Sequence, residues 1–190
     1  MRDYIVTVMA RDRTGIVRDV SSAITGIEGN ITHLSQTVVC GYFTLIISAQ
    51  MPDERTQSEI RQAIERNGGI GEFAVNVRPY AEPIVCETGP AEHFTLSMQG
   101  RDHKGIIART TGYIAERNVN IDDFYCYVHE GILLMLAQVS VPTGIDIEDL
   151  QAGLENVGRE FGIVAHLQHE NIFHATLDVR PVIDLQRRQA

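Results

Sequence analysis

One short motif occurs twice in this chain, ninety residues apart, and that offset constrains the fold more than any other feature. Arg11-Asp12-Arg13-Thr14-Gly15-Ile16-Val17 returns as Arg101-Asp102-His103-Lys104-Gly105-Ile106-Ile107. Without a gap, the same offset places Ile24 on Ile114, Asn30 on Asn120, Ile31 on Ile121, Val38 on Val128, Gly41 on Gly131 and Pro52 on Pro142. Identities gathered at glycine, asparagine, proline and apolar positions indicate an internal duplication. At 190 residues the chain then divides into two small units. The expected boundaries are 1–80 for the first unit, 81–92 for a linker carrying Pro83, Gly89 and Pro90, 93–171 for the second, and 172–190 for an extension without a counterpart.

Hydrophobic periodicity assigns each copy the same elements. Tyr4 to Ala10 reads as a buried strand, and Phe94, Leu96 and Met98 alternate with Thr95, Ser97 and Gln99 as one covered and one polar face. A helix follows in each copy, marked by Ile16, Val20, Ala23 and Ile27, and by Ile106, Thr110, Tyr113 and Ile114. Gly29 and Asn30 are expected to stop the first and Asn118 the second. Two strands then turn back at Cys40-Gly41 and at Glu130-Gly131. Second helices are expected to end on C-cap glycines, Gly68-Gly69 and Gly162, before a closing strand. The fold class is therefore α+β: two ferredoxin-like βαββαβ units, each an antiparallel sheet with helices on one face. A pseudo-two-fold between them is the expected packing.

Composition excludes several functions. A formal net charge of -9 with no basic patch, apart from Arg187-Arg188 near the end, argues against direct nucleic-acid contact. No apolar run is long enough to span a membrane. The opening MRDYIVTV lacks the apolar stretch and cleavage site of a signal peptide, so a cytoplasmic protein is expected. Cys40, Cys86 and Cys126 are odd in number and lack CxxC spacing, which disfavours disulfides or zinc. His166 and His169 fall three apart in a strand, on opposite faces, and the remaining histidines are scattered, so no metal is expected. His103 alone among them is placed to border a ligand. Tyr125 and Tyr127 share a strand face and are expected to pack in a core or an interface. No catalytic motif is present and no cofactor is expected.

The duplicated loop has two physical readings. Gly15 and Gly105 stand where a strand becomes a helix, and exposed N–H groups at a helix start attract anions. With Asp12 and Asp102 beside them, such a site suits a ligand bearing both charges, a free α-amino acid. Alternatively, each Asp is an N-cap serving its own helix. Asn30 and Asn120 open the next strand, and each is either a second ligand contact or a turn residue in left-handed conformation. With right-handed crossovers the first two strands of a unit run parallel, so loop and asparagine lie at opposite ends of it. Packed about a two-fold, the units would instead bring Asp12 near Asn120 and Asp102 near Asn30.

At these residues the chain resembles the ACT domain, a family of amino-acid-sensing regulatory modules. The resemblance rests on Asp-x-x-Gly-Ile after an apolar strand, with Asn-Ile fifteen residues past the glycine, in both halves. The layout of two modules is similar to that of glycine cleavage system transcriptional repressors. The second half also resembles small single-ACT proteins of unassigned function. The resemblance implies that the loop and the strand-two asparagine hold an effector, which maps onto Asp12, Arg13, Thr14, Gly15, Ile16, Asn30 and Ile31. In the second copy the same positions are Asp102, His103, Lys104, Gly105, Ile106, Asn120 and Ile121. Where many ligand-binding members carry proline, Thr14 and Lys104 stand before the glycines. The function implied is a non-enzymatic regulator that binds a small amino acid such as glycine or serine and acts through a protein partner, as a homo-oligomer. Two alternatives are a ligand-free interaction module and an acylphosphatase-like hydrolase, for which Arg13 is the one loosely placed candidate.

Overall fold

The structure is a computed structural model that describes residues 1–82 and 89–170. Cys86, His174, Arg187-Arg188, the middle of the expected linker and the expected extension lie outside the described residues. The chain divides into two compact units, Met1–Ile84 and Val85–Ala190. The first runs β1 (Arg2–Arg11), α1 (Ile16–Gly26), β2 (Asn30–Val39), β3 (Tyr42–Met51), α2 (Gln57–Asn67), β4 (Ala74–Pro79). The second runs β5 (Ala91–Arg101), α3 (Ile106–Ala115), β6 (Asn120–His129), β7 (Ile132–Pro142), α4 (Ile147–Phe161), β8 (Ile163–His169). The sheet orders are β2-β3-β1-β4 and β6-β7-β5-β8, antiparallel throughout. Each unit is thus the βαββαβ fold read from the sequence.

Alternation decides which face is covered. In the first unit Tyr4, Val6, Val8 and Ala10 join Phe43, Leu45, Ile47 and Ala49 beneath Ile16, Val20 and Ile24 of α1 and Ile60 and Ile64 of α2. In the second, Leu96, Met98, Leu133, Met135 and Val139 meet Ile106, Ile114, Leu150 and Leu154. Each large aliphatic side chain buried in this way contributes roughly 1.5–3 kcal/mol. Among the described residues, no helix of either unit lies on the opposite face of its sheet. Met9, Ile46 and Leu134 project from it half-exposed, and so do Tyr125 and Tyr127 at 55% and 53%. The two tyrosines are therefore not in the core, since their strand face is the one the helices leave uncovered.

Local departures have physical reasons. The turn ending α1 passes through Glu28 in left-handed conformation (φ 66°), before Gly29 and Asn30, and Asn118 occupies the same place after α3 (φ 56°). Asn30 and Asn120 themselves begin strands, which removes the left-handed turn reading for both. Gly68 follows α2 in extended rather than left-handed conformation; a Cβ there would sit 2.7 Å from the Phe73 ring. Gly162 is the left-handed cap expected (φ 68°). Thr95, on the polar side of β5, is buried at 4% exposure. Ala91 and Glu92, at the end of the stretch read as linker, already pair with Pro142 and Val141.

Candidate functional site

The strand-to-helix loops are built alike in the two units. The Asp12 N–H donates to the Gly41 carbonyl at 2.9 Å, and the Asp102 N–H to that of Gly131 at 2.8 Å. Each loop is thereby tied to the neighbouring hairpin turn. Gly15 and Gly105 are the N-caps of α1 and α3, both at φ 94°, and neither helix has a side-chain cap. Only glycine holds this left-handed conformation without strain. The capping reading of Asp12 and Asp102 is thus overturned: the cap is the glycine, and both carboxylates are exposed and not spent on the helix start. Ile16 and Ile106 are 1% and 2% exposed, so their side chains serve the cores and offer a ligand only backbone.

Strand register places the asparagines far from these loops. Asn30 lies across from Gln50, which lies across from Asp3, whereas the loop leaves Arg11 opposite Tyr42. Eight residues separate Asp3 from Arg11, roughly 27 Å of strand. Asn120, opposite Ser140 and then His93, is equally distant from the loop after Arg101. Neither unit unites its own loop with its own asparagine.

Beyond this shared frame the copies differ. In the first, the Arg13 guanidinium forms a two-pronged pair with Glu72 and reaches Asp19 at 2.9 Å, its Nη1 donating to the Thr14 carbonyl at 3.1 Å. It also lies over the Phe73 ring, 5.8 Å from the centroid. Arg13 is held protonated well above its ordinary value, first by Glu72 and then by Asp19. Glu72 is pulled below the usual carboxylate value by Arg13 and then by the Gly69 N–H. Arg18 and then Arg13 lower Asp19. In the second copy His103 replaces Arg13 and rests near the Phe161 ring, centroids 6.3 Å apart. Position 19 becomes Arg109, whose guanidinium donates twice to Glu160 at 3.2 and 3.3 Å. Lys104 is exposed, with no ion pair among the described residues.

The asparagines differ too. Asn120 Nδ2 donates to Asp122 Oδ1 at 2.8 Å, Asp122 Oδ2 accepts the Ser140 hydroxyl at 2.5 Å, and Ser140 Oγ lies 3.2 Å from His93 Nδ1. Asp122 sits at the register shift of β6. At the matching shift in β2 stands Thr32, whose hydroxyl donates to the Ser48 carbonyl at 3.1 Å. Asn30 is exposed, and its side chain has no hydrogen bond among the described residues. Sequence reasoning missed both polar networks. The only prior signal was that Asp122 and Asp123 break the repeat identity where Thr32 and His33 stand. Among the described residues no helix is long and apolar enough to cross a membrane.

Comparison with known proteins agrees with this architecture. A UPF0237 protein of Methanococcus maripaludis is 32% identical over 83 residues, covering 43% of this chain and 92% of the relative, about one repeat. A UPF0237 protein of Methanocaldococcus jannaschii is 33% identical over 79 residues, 41% of this chain and 88% of its own. A solved protein of unknown function from Galdieria sulphuraria covers 88% of this chain and 98% of its own length, with a TM-score of 0.69 at 22% identity. Another, provisionally described as a glycine cleavage system transcriptional repressor, covers 88% and 96% with a TM-score of 0.61 at 14% identity. At those identities the two structures establish shared fold alone. The ACT domain family matches residues 2–75 and again 92–168, both repeats. With two βαββαβ units, each opening its first helix on a left-handed glycine behind an uncommitted aspartate, the chain belongs to the ACT domain family of regulatory ligand-binding modules.

Proposed function

We propose that the protein is a small-molecule sensor that binds a free amino acid of small side chain, glycine or serine, and signals through a protein partner. The observation that carries this reading is the duplicated helix start at Gly15 and Gly105, without a side-chain cap and beside Asp12 and Asp102. Backbone N–H groups at such a start attract the ligand carboxylate. The neighbouring aspartate attracts the ammonium. Loop and asparagine of one repeat stand too far apart to share a ligand. A ligand that binds one conformation of the protein better than another shifts the equilibrium toward it, and that differential affinity is what a partner reads. One neighbour's description mentions control of glycine cleavage, which makes glycine the first ligand to try.

Calorimetric titration with the twenty amino acids tests the proposal. Saturable binding of glycine or serine is the expected result; heat from none of the twenty would leave the second reading, a ligand-free interaction module. That alternative draws on β2 and β6, edge strands of their sheets, which offer unpaired backbone to a further strand. The hydrolase alternative loses its one candidate, since the Arg13 guanidinium is already engaged by two carboxylates.

A further inference from the structure

The second repeat has a polar cavity of about 300 Å³ whose side chains the first repeat does not reproduce. His93 and Thr95 of β5, Asp122 of β6, Gln138 of β7 and Glu170 beyond β8 line it. Phe94 and Leu96 face the core, so His93 and Thr95 between and beside them face the side of the sheet away from the helices. We infer that this cavity binds a small organic cation, a primary amine in its ammonium form, with Asp122 as counter-charge and the Thr95 hydroxyl as hydrogen-bond partner. The inference goes beyond the sensor reading and does not depend on it, since neither strand-to-helix loop belongs to this cavity.

Two independent observations lead there. The first is Thr95. Its side chain is 4% exposed and lines the cavity, and its hydroxyl makes no hydrogen bond among the described residues. A buried hydroxyl without a partner costs roughly 1–3 kcal/mol, and a ligand that hydrogen-bonds to it removes that cost. The strand neighbours of Thr95 on this side, Gln138 and Gln168, are polar as well.

The second observation is a carboxylate fixed in place without a permanent cation. Asp122 accepts from the Asn120 amide through Oδ1 and from the Ser140 hydroxyl through Oδ2. That hydroxyl spends its hydrogen on Asp122, so in the 3.2 Å contact between Ser140 Oγ and His93 Nδ1 the ring nitrogen donates. Neutral groups thus hold Asp122, and its one ion-pair neighbour, His93 at 3.7 Å, is charged only when protonated. Asp19, Asp53, Glu72 and Glu160, by contrast, each face an arginine or the N-terminal ammonium. Glu170 adds a second carboxylate to the wall, so the cavity favours positive charge. Among the described residues no three His, Cys, Asp or Glu side chains stand together as metal ligands, which points to an organic cation rather than a metal ion. Ninety residues earlier Asp3 replaces His93, Ile5 replaces Thr95, Thr32 replaces Asp122 and Gln50 replaces Ser140, so the parts exist only in the second repeat.

The test is a titration of the full chain with ethanolamine and with putrescine, followed through the backbone amides by two-dimensional NMR, with ethylene glycol as the uncharged counterpart. Saturable shifts centred on Thr95, Asp122 and Gln138 with at least one amine, and none with ethylene glycol, are expected. Asp122→Asn and Thr95→Val, both close in shape to the originals, should each weaken binding about tenfold, the scale of losing one hydrogen bond to a charged group. Asp3→Asn, at the place in the first repeat that corresponds to His93, should stay within about twofold. Circular dichroism of each variant verifies the fold. No shift with either amine, an equal response to ethylene glycol, shifts centred on the first repeat, or full affinity in Asp122→Asn overturns the inference. Displacement of the amines by zinc or magnesium at the same resonances overturns the ligand class. None of these outcomes bears on amino-acid binding at the loops, which the calorimetric titration tests separately.

Discussion

Position 19 carries an aspartate in α1, and its counterpart ninety residues on, Arg109, carries the opposite charge in α3. Around that reversal each repeat has built a different clasp. In the first, Arg13 draws Glu72 and Asp19 together across the helix start. In the second, Arg109 turns to Glu160, on an α4 of 15 residues where α2 has 11. The backbone of the loop is the same in both, down to the glycine φ and the hydrogen bond to the hairpin turn. Duplication has preserved a glycine-capped helix start without a side-chain cap while the charges around it diverged. A shared fold is therefore a poor guide to whether both copies keep the same chemistry.

Paired substitutions at equivalent positions measure how far the two repeats have diverged. The largest effect is expected in the cores. Ile24 and Ile114 occupy equivalent places at 0% and 2% exposure. Replacing either by alanine should cost roughly 2–5 kcal/mol in urea unfolding followed by fluorescence and circular dichroism. A difference between the two beyond about 2 kcal/mol would show that the cores, unlike the loops, have diverged in packing.

Next come the helix starts. Gly15→Ala and Gly105→Ala each force an L side chain into left-handed backbone, a cost of about 1–2 kcal/mol. The two should lose alike, because both glycines sit at φ 94° and a Cβ at either meets nothing closer than ordinary contact. A neutral outcome at either position in a thermal melt would deny that the loop geometry is required.

Smaller again are the caps of the second helices. Thr56 and Glu59 form a reciprocal capping box on α2, and Asp146 accepts the N–H groups of Glu148 and Asp149 on α4. Alanine at Thr56 or at Asp146 should each cost about 1 kcal/mol. Melting temperatures of the two variants compare them directly.

The smallest effect is a pH dependence confined to the first repeat. Glu72 and Asp19 have folded values below their ordinary ones, so the unfolded chain takes up protons first as pH falls. Their stabilisation is complete above the ordinary glutamate value of 4.5 and fades as pH drops through the lower folded values. The clasp lies at the surface, with the Arg13 side chain 37% exposed, so solvent screens the pairs and the decline should be shallow. Glu72→Gln should flatten it in melts between pH 5 and about pH 2. An unchanged acid limb would show that the Arg13 clasp does not contribute to stability.

How much of this was legible beforehand follows from the range of each interaction. Alternation in β1, β5 and β7 and the three-to-four spacing in α1 and α4 are local patterns, and they gave the strands, the helices and the residues that share a face. The turn at Cys40-Gly41 was equally readable, because left-handed backbone restricts the residue type, whereas the caps were assigned to Asp12 and Asp102 and the structure gives them to Gly15 and Gly105. Arg13 and Glu72 are 59 residues apart, and nothing in either segment alone announces the pair. Asp122 is only two residues from Asn120, but its role depends on Ser140, brought opposite Asn120 by β7. Tyr125 and Tyr127 lie outside the core, the first of the two places expected for them, because alternation tells which residues share a face, not which face the helices cover.

The order of residues by itself determined the duplication, the βαββαβ path and the positions of the two glycines, since these follow from period, turn chemistry and backbone sterics. Only the tertiary structure decided which carboxylates and amides remain available. That choice is made by contacts between elements distant in the chain, where a bond of about 3 Å forms or fails according to how strands register and where a helix ends.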